Sequence, residues 1–165
     1  MKIDFIAEIG WNFMGDMDLA ESMISAAKEA NATIAKFQYW NPDKLREGPW
    51  DSDGRREIYK KAKLSKEKID QLASICREKE LDFLVSAFNK DDALFLKEFS
   101  KDAIKVPSHE VANTELINFS LENFEKVFLS LGACSHEELL DCSNIVKKIR
   151  PNDKNVVLMH CVSSY

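Results

Sequence analysis

Short apolar runs of strand length alternate along this chain with longer amphipathic stretches, and that alternation limits the fold more than any other feature. Six runs read as strands: Ile3 to Glu8, Thr33 to Phe37, Asp82 to Phe88, Ala103 to Val106, Lys126 to Leu131, and Asn155 to His160. Most are nearly continuous in apolar residues, as parallel strands covered on both faces require. The stretches between them carry stripes at helical spacing. Asp16 precedes Leu19, Ala20, Met23, Ile24 and Ala27, and Ser65 precedes Ile69, Leu72, Ala73 and Cys76, each as a plausible N-cap. Ser135-His136-Glu137-Glu138 is a capping-box pattern ahead of Leu139, Leu140, Ile145 and Val146. Asp91 and Thr114 start two shorter helices, and Pro151 stops the last one.

The segment from Trp40 to Lys63 breaks this rhythm. It holds Pro42, Gly48, Pro49 and Gly54 in a dense mixture of charges, and reads as a long excursion, either a binding loop or an unstructured tether. Six strands alternating with helices fit two architectures: an open doubly wound sheet, or about six βα units of a (β/α)8 barrel. The pattern does not choose between them. No Gly-x-Gly-x-x-Gly follows the first run and no P-loop occurs, which argues against a nucleotide-binding doubly wound fold.

With 45% hydrophobic residues, the 165-residue chain can bury one core, and it is expected to be one partial barrel domain over 1–165. Its net charge of −5 provides no basic field for nucleic acid and no polybasic patch for a membrane surface, so an anionic ligand must be held by a few local cations. The apolar stretch at the N-terminus is interrupted by Asp4 and Glu8 and is too short for a signal sequence or span; a cytoplasmic protein is expected. The four cysteines, Cys76, Cys134, Cys142 and Cys161, form no Cys-x-x-Cys pair and read as small buried side chains of a reduced protein.

Parallel α/β folds place their sites at the C-terminal ends of the strands, and polar residues gather there. Glu8 and Asn12 belong to the first strand end, Lys36 and Gln38 to the second, and Ser86 and Asn89 to the third. Lys105, Ser108 and Glu110 follow on the fourth, Ser130 on the fifth, and His160, Ser163 and Tyr165 on the sixth. A lysine within a strand is costly to bury alone, so Lys36 and Lys105 each require an anion, which is either a ligand or an internal carboxylate such as Glu8 or Glu110. The lysines supply charge, while Ser108 and Ser130 supply directional hydrogen bonds, a combination suited to a small ligand with a phosphate and a carboxylate. His160 alone reads equally as a metal ligand, an acid or base, or a satisfied polar group. His109 should point away from Ser108 and Glu110 if the segment is extended, and His136 should lie exposed in a first helical turn.

In order along the chain, Ile6-Ala7-Glu8-Ile9-Gly10 with Asn12 and Gly15-Asp16, Ala35-Lys36-Phe37-Gln38, and Ile104-Lys105-Val106-Pro107-Ser108-His109-Glu110 form one set of motifs. Leu129-Ser130-Leu131-Gly132 and Leu158-Met159-His160-Cys161-Val162-Ser163-Ser164-Tyr165 complete it. Together they resemble the N-acetylneuraminate (sialic acid) synthase family over the whole length of the chain. The resemblance implies a TIM barrel in which phosphoenolpyruvate and an open-chain N-acetylhexosamine, such as N-acetylmannosamine, are joined. C3 of phosphoenolpyruvate bonds to the sugar aldehyde, water attacks C2, and phosphate leaves, with help from a divalent metal, usually manganese. It further implies that Lys36, Lys105, Ser108 and Ser130 hold phosphoenolpyruvate, with Asn12, Gln38 and Tyr165 as further substrate contacts. Glu8 and Glu110 would serve the sugar hydroxyls, the aldehyde or the attacking water, and His160 would be one metal ligand.

Departures from the family pattern are equally specific. Phe13 stands where the family's Asn-His-x-Gly carries histidine, and Leu131 replaces the threonine of its Ser-Thr-Gly turn. The family's Ser-Asp-His segment and antifreeze-like domain have no counterpart in these residues. The expectation is therefore a synthase acting as a homo-oligomer or with a complementing chain. The competing readings are a non-catalytic anion- or sugar-binding protein, and a related barrel acting on a phosphorylated sugar, which would call for strand-end arginines that the sequence lacks.

Overall fold

The computed structural model describes residues 3–44 and 47–162. All six expected strands form, as β1 (Ile6–Gly10), β2 (Ile34–Gln38), β3 (Asp82–Ser86), β4 (Ala103–Val106), β5 (Lys126–Ser130) and β6 (Val156–Met159). They lie in chain order, β1-β2-β3-β4-β5-β6, without the reversal that a doubly wound sheet requires. Pairing is parallel within β1–β2, β3–β4, β4–β5 and β5–β6. Sequential parallel order with helical crossovers is the (β/α)8-barrel type, here with six strands and a helical crossover after each of the first five. The chain divides into two compact units, one up to Leu84 and one from Val85.

In the first unit, β1 and β2 run in register from Ile6↔Ile34 to Glu8↔Lys36, and a bulge then sets Gly10 opposite Phe37. Helix α1 (Met17–Glu29) begins where expected because the Asp16 carboxylate accepts from the Asp18 and Leu19 N–H groups at 3.1 Å. It buries Ala20, Ile24 and Ala27. The loop before α1 is held tightly: a Cβ at Gly15, whose φ is +80°, would meet the Lys61 carbonyl oxygen at 2.4 Å.

The Trp40–Lys63 excursion is neither a bare loop nor a tether. It contains two 3-10 turns, at Pro42–Lys44 and Pro49–Asp51, and a helix, α2 (Arg55–Ala62). Its charges fold the segment onto itself. Arg56 binds the Asp51 carboxylate and donates to the Pro42 carbonyl at 2.9 Å, while Lys63 reaches Asp43 at 2.9 Å. Helix α3 (Lys66–Glu78) follows from its Ser65 cap and buries Ile69, Leu72, Ile75 and Cys76.

In the second unit, α5 (Thr114–Asn123) starts at Thr114 as expected, with Asn113 as its cap, and α4 (Lys90–Leu96) starts one residue before Asp91, capped by Asn89. Asparagine's side-chain oxygen satisfies the first free N–H groups as well as aspartate's does. α6 (His136–Ile149) shows the reciprocal Ser135/Glu138 capping box. Val106, Ile104, Leu116, Ile117, Val127 and Leu129 form the buried centre of this unit. β6 is less covered than its apolar sequence implies: Leu158 is 45% exposed, because β6 closes the strand order with only β5 beside it among the described residues.

All four cysteines are free, but only Cys76 and Cys142 are buried; Cys134 and Cys161 are half-buried at turns. Burial pushes the Cys76 thiol up to about 12 and raises that of Cys142, so neither is a ready nucleophile near neutrality. Among the described residues no helix is long and apolar enough to cross a membrane.

Candidate active site

At the strand ends of the first unit, Lys36 is 2% exposed and forms an ion pair with Glu8, its register partner, whose side chain remains 51% exposed. The carboxylate that a strand-interior lysine requires is thus supplied from within. The pair is asymmetric, with a desolvated ammonium and an acid open to solvent. Gln38 is half-buried with its amide oxygen against Gly10, and Asn12 is exposed. Phe13, standing at the family's histidine position, turns inward: it is 1% exposed and packs edge-on against Phe37 at 6.0 Å. An apolar ring at that position serves the core.

In the second unit, Ser86 of β3 pairs with Lys105 of β4. Lys105 is half-buried rather than fully enclosed. Pro107 ends β4, and residues 108–110 then curl into a 3-10 turn closed by the Glu110 N–H donating to the Pro107 carbonyl at 3.0 Å. The extended geometry expected for this segment is therefore absent. His109 lies on the Glu110 side, with Nε2 3.7 Å from Oε1 and its ring against Phe88 at 5.3 Å.

Ser108 accepts from the Gly132 N–H at 3.1 Å, which ties the end of β4 to the end of β5 and leaves the serine O–H able to donate elsewhere. Gly132 is required at that position, since a Cβ there would lie 2.6 Å from Cys161 Cβ. Ser130, on β5, is 3% exposed and its hydroxyl has no hydrogen-bond partner among the described residues. A buried hydroxyl in that state carries an uncompensated desolvation cost.

Glu110 receives a hydrogen bond from Asn113 Nδ2 at 2.9 Å, while Asn113 Oδ1 accepts from the Leu116 N–H. One residue therefore caps α5 and orients the carboxylate. Sequence reasoning missed it, although an asparagine directly before a helix start is a readable signal.

His160 is exposed just beyond β6. No group of three or more His, Cys, Asp or Glu side chains that could hold a metal ion comes together among the described residues. Tyr165 lies outside the described residues.

Residues 23–165 match the NeuB family. The pseudaminic acid synthase of Campylobacter jejuni is 29% identical over 99% of this chain and 50% of its own length. The N,N'-diacetyllegionaminic acid synthase of Legionella pneumophila is 28% identical over all of this chain and 50% of its own. The chain thus spans about half the length of these curated relatives. Among solved structures, the N-acetylneuraminic acid synthetase of Leptospira borgpetersenii, in complex with citrate, superposes with a TM-score of 0.87 at 31% identity. That match covers the whole of this chain and 56% of the other.

Proposed function

Because the chain belongs to the NeuB family, we propose that it holds phosphoenolpyruvate and an acetylated amino sugar for condensation to a sugar acid. The observation that carries this reading is the Ser130 hydroxyl, buried at a strand end and without a partner among the described residues. In the same unit, Lys105 and Ser108 with its unspent O–H would neutralise and orient the phosphate and carboxylate. Asn12, Gln38 and Tyr165 would add substrate contacts. Holding both reactants rigidly converts a bimolecular encounter into an intramolecular one.

The proton requirements assign work to the acids. As C3 of phosphoenolpyruvate bonds to the aldehyde carbon, the aldehyde oxygen must gain a proton. As water adds at C2 and phosphate departs, that water must lose protons. Glu8, whose side chain is half-exposed beside Lys36, and Glu110, oriented by Asn113, are the groups suited to these transfers.

Calorimetric titration of the chain with phosphoenolpyruvate tests the proposal. One site per chain is expected, with affinity lowered at least tenfold by Lys105→Met, since a hydrogen bond to a charged group contributes about 1.5–3 kcal/mol. Absence of binding to the folded protein would exclude it.

A further inference from the structure

Three aromatic rings at the strand ends of the first unit have no role in the chemistry above. Trp11 directly follows the last residue of β1, Trp40 lies two residues beyond β2, and Tyr59 comes from α2. Their centroids are 5.5, 5.7 and 6.1 Å apart, with interplanar angles of 83°, 75° and 88°. Rings this close to mutually perpendicular form a corner and do not stack face to face, and all three are partly exposed. The corner is preorganised: Arg56 and Lys63 brace α2, and Gly15 lets the preceding loop reach the Lys61 carbonyl. It belongs to the same strand ends as Glu8, Lys36 and Gln38.

Resting on the function proposed above, we infer that Trp11, Trp40 and Tyr59 form the apolar subsite that receives the acetamido methyl and adjoining C–H face of the amino-sugar acceptor. Aromatic faces take up weakly polarised C–H groups while polar side chains nearby satisfy hydroxyls, so the corner selects acetylated sugars over unacetylated ones. A purely structural role, pinning α2 to the strand ends, makes a different prediction: loss of the rings would then weaken folding and every ligand alike.

The test is calorimetry on the full chain with phosphoenolpyruvate, N-acetylmannosamine and mannose, for the wild type and for Trp11→Leu and Trp40→Leu. Each substitution should weaken N-acetylmannosamine about fivefold and leave phosphoenolpyruvate and mannose within about twofold. If the wild type binds phosphoenolpyruvate but does not prefer N-acetylmannosamine to mannose, or if the leucine variants keep that preference, the inference is overturned alone. If the wild type fails to bind phosphoenolpyruvate, the parent reading is what fails. Should the leucine variants unfold, tryptophan fluorescence in a Trp50→Phe background decides. Quenching by N-acetylmannosamine and not by mannose supports the subsite, and no quenching by either overturns it.

Discussion

Replacing Ser130 by alanine should make the protein more stable and a poorer binder at once. The hydroxyl is 3% exposed and has no partner among the described residues, so folding forfeits its hydration without return. Such a group costs about 1–3 kcal/mol, and Ser130→Ala removes it while keeping Cβ in place. A gain of about 1 kcal/mol is expected, which raises the urea midpoint by about 0.5 M for an m-value of about 2 kcal/mol/M. The affinity for phosphoenolpyruvate should fall at least tenfold, since about 1.5 kcal/mol or more of charge-assisted hydrogen bonding is lost. Ser120 on α5 provides the control. Its hydroxyl is also buried and unpaired, but it sits within a helix rather than at a strand end. Ser120→Ala should stabilise similarly and leave phosphoenolpyruvate binding unchanged. Chemical denaturation and calorimetry read both quantities. A lowered midpoint for Ser130→Ala, or an unaltered affinity, would refute the reasoning.

The Lys36–Glu8 pair should respond asymmetrically. Lys36→Met removes a buried charge and leaves a half-exposed acid, so stability should stay within about 1 kcal/mol, whereas Glu8→Ala takes the paired carboxylate from the buried ammonium and should cost more, about 3 kcal/mol; equal losses in denaturation would contradict this. Ser135→Ala should cost about 1 kcal/mol by uncapping α6. The Ser135 N–H, then its hydroxyl, hold the Glu138 carboxyl below its ordinary 4.5, so its contribution is present above that pH and is lost as pH falls from there through the lowered folded value. Acid titration of the wild type should show this step, and Ser135→Ala, which keeps the backbone N–H but loses the hydroxyl, should show a smaller one. Exposed apolar side chains at β6, Leu158 and Val162, together with an edge free of a second strand among the described residues, predict that the 165-residue chain associates. Sedimentation showing a stable folded monomer would count against it.

Strands and capped helices were legible because local chemistry decides them: apolar runs bounded by polar residues, and Asp16, Ser65 and Ser135 at helix starts. Helix α2 was hidden because Gly48, Pro49 and Gly54 signal loop, while the Arg56–Asp51 and Lys63–Asp43 pairs that fold the segment join residues whose partnership only the folded chain reveals. Periodicity likewise could not foresee that Pro107 would turn 108–110 into a 3-10 turn and bring His109 beside Glu110. The polar residues at the strand ends could be read from order alone. Their partners could not, since the Glu8–Lys36 pairing, the Gly132–Ser108 bond and the Asn113–Glu110 contact depend on register and turn geometry.

The central claim is that the lysine- and serine-bearing strand ends of the second unit serve one small dianion. Amide chemical-shift mapping of the chain during titration with phosphoenolpyruvate tests it most directly. The account predicts shifts that saturate together at residues 105–110 and 130–132, and that vanish in Lys105→Met. Shifts confined to the opposite ends of these strands, or shifts at the two segments that saturate at different concentrations, would contradict it.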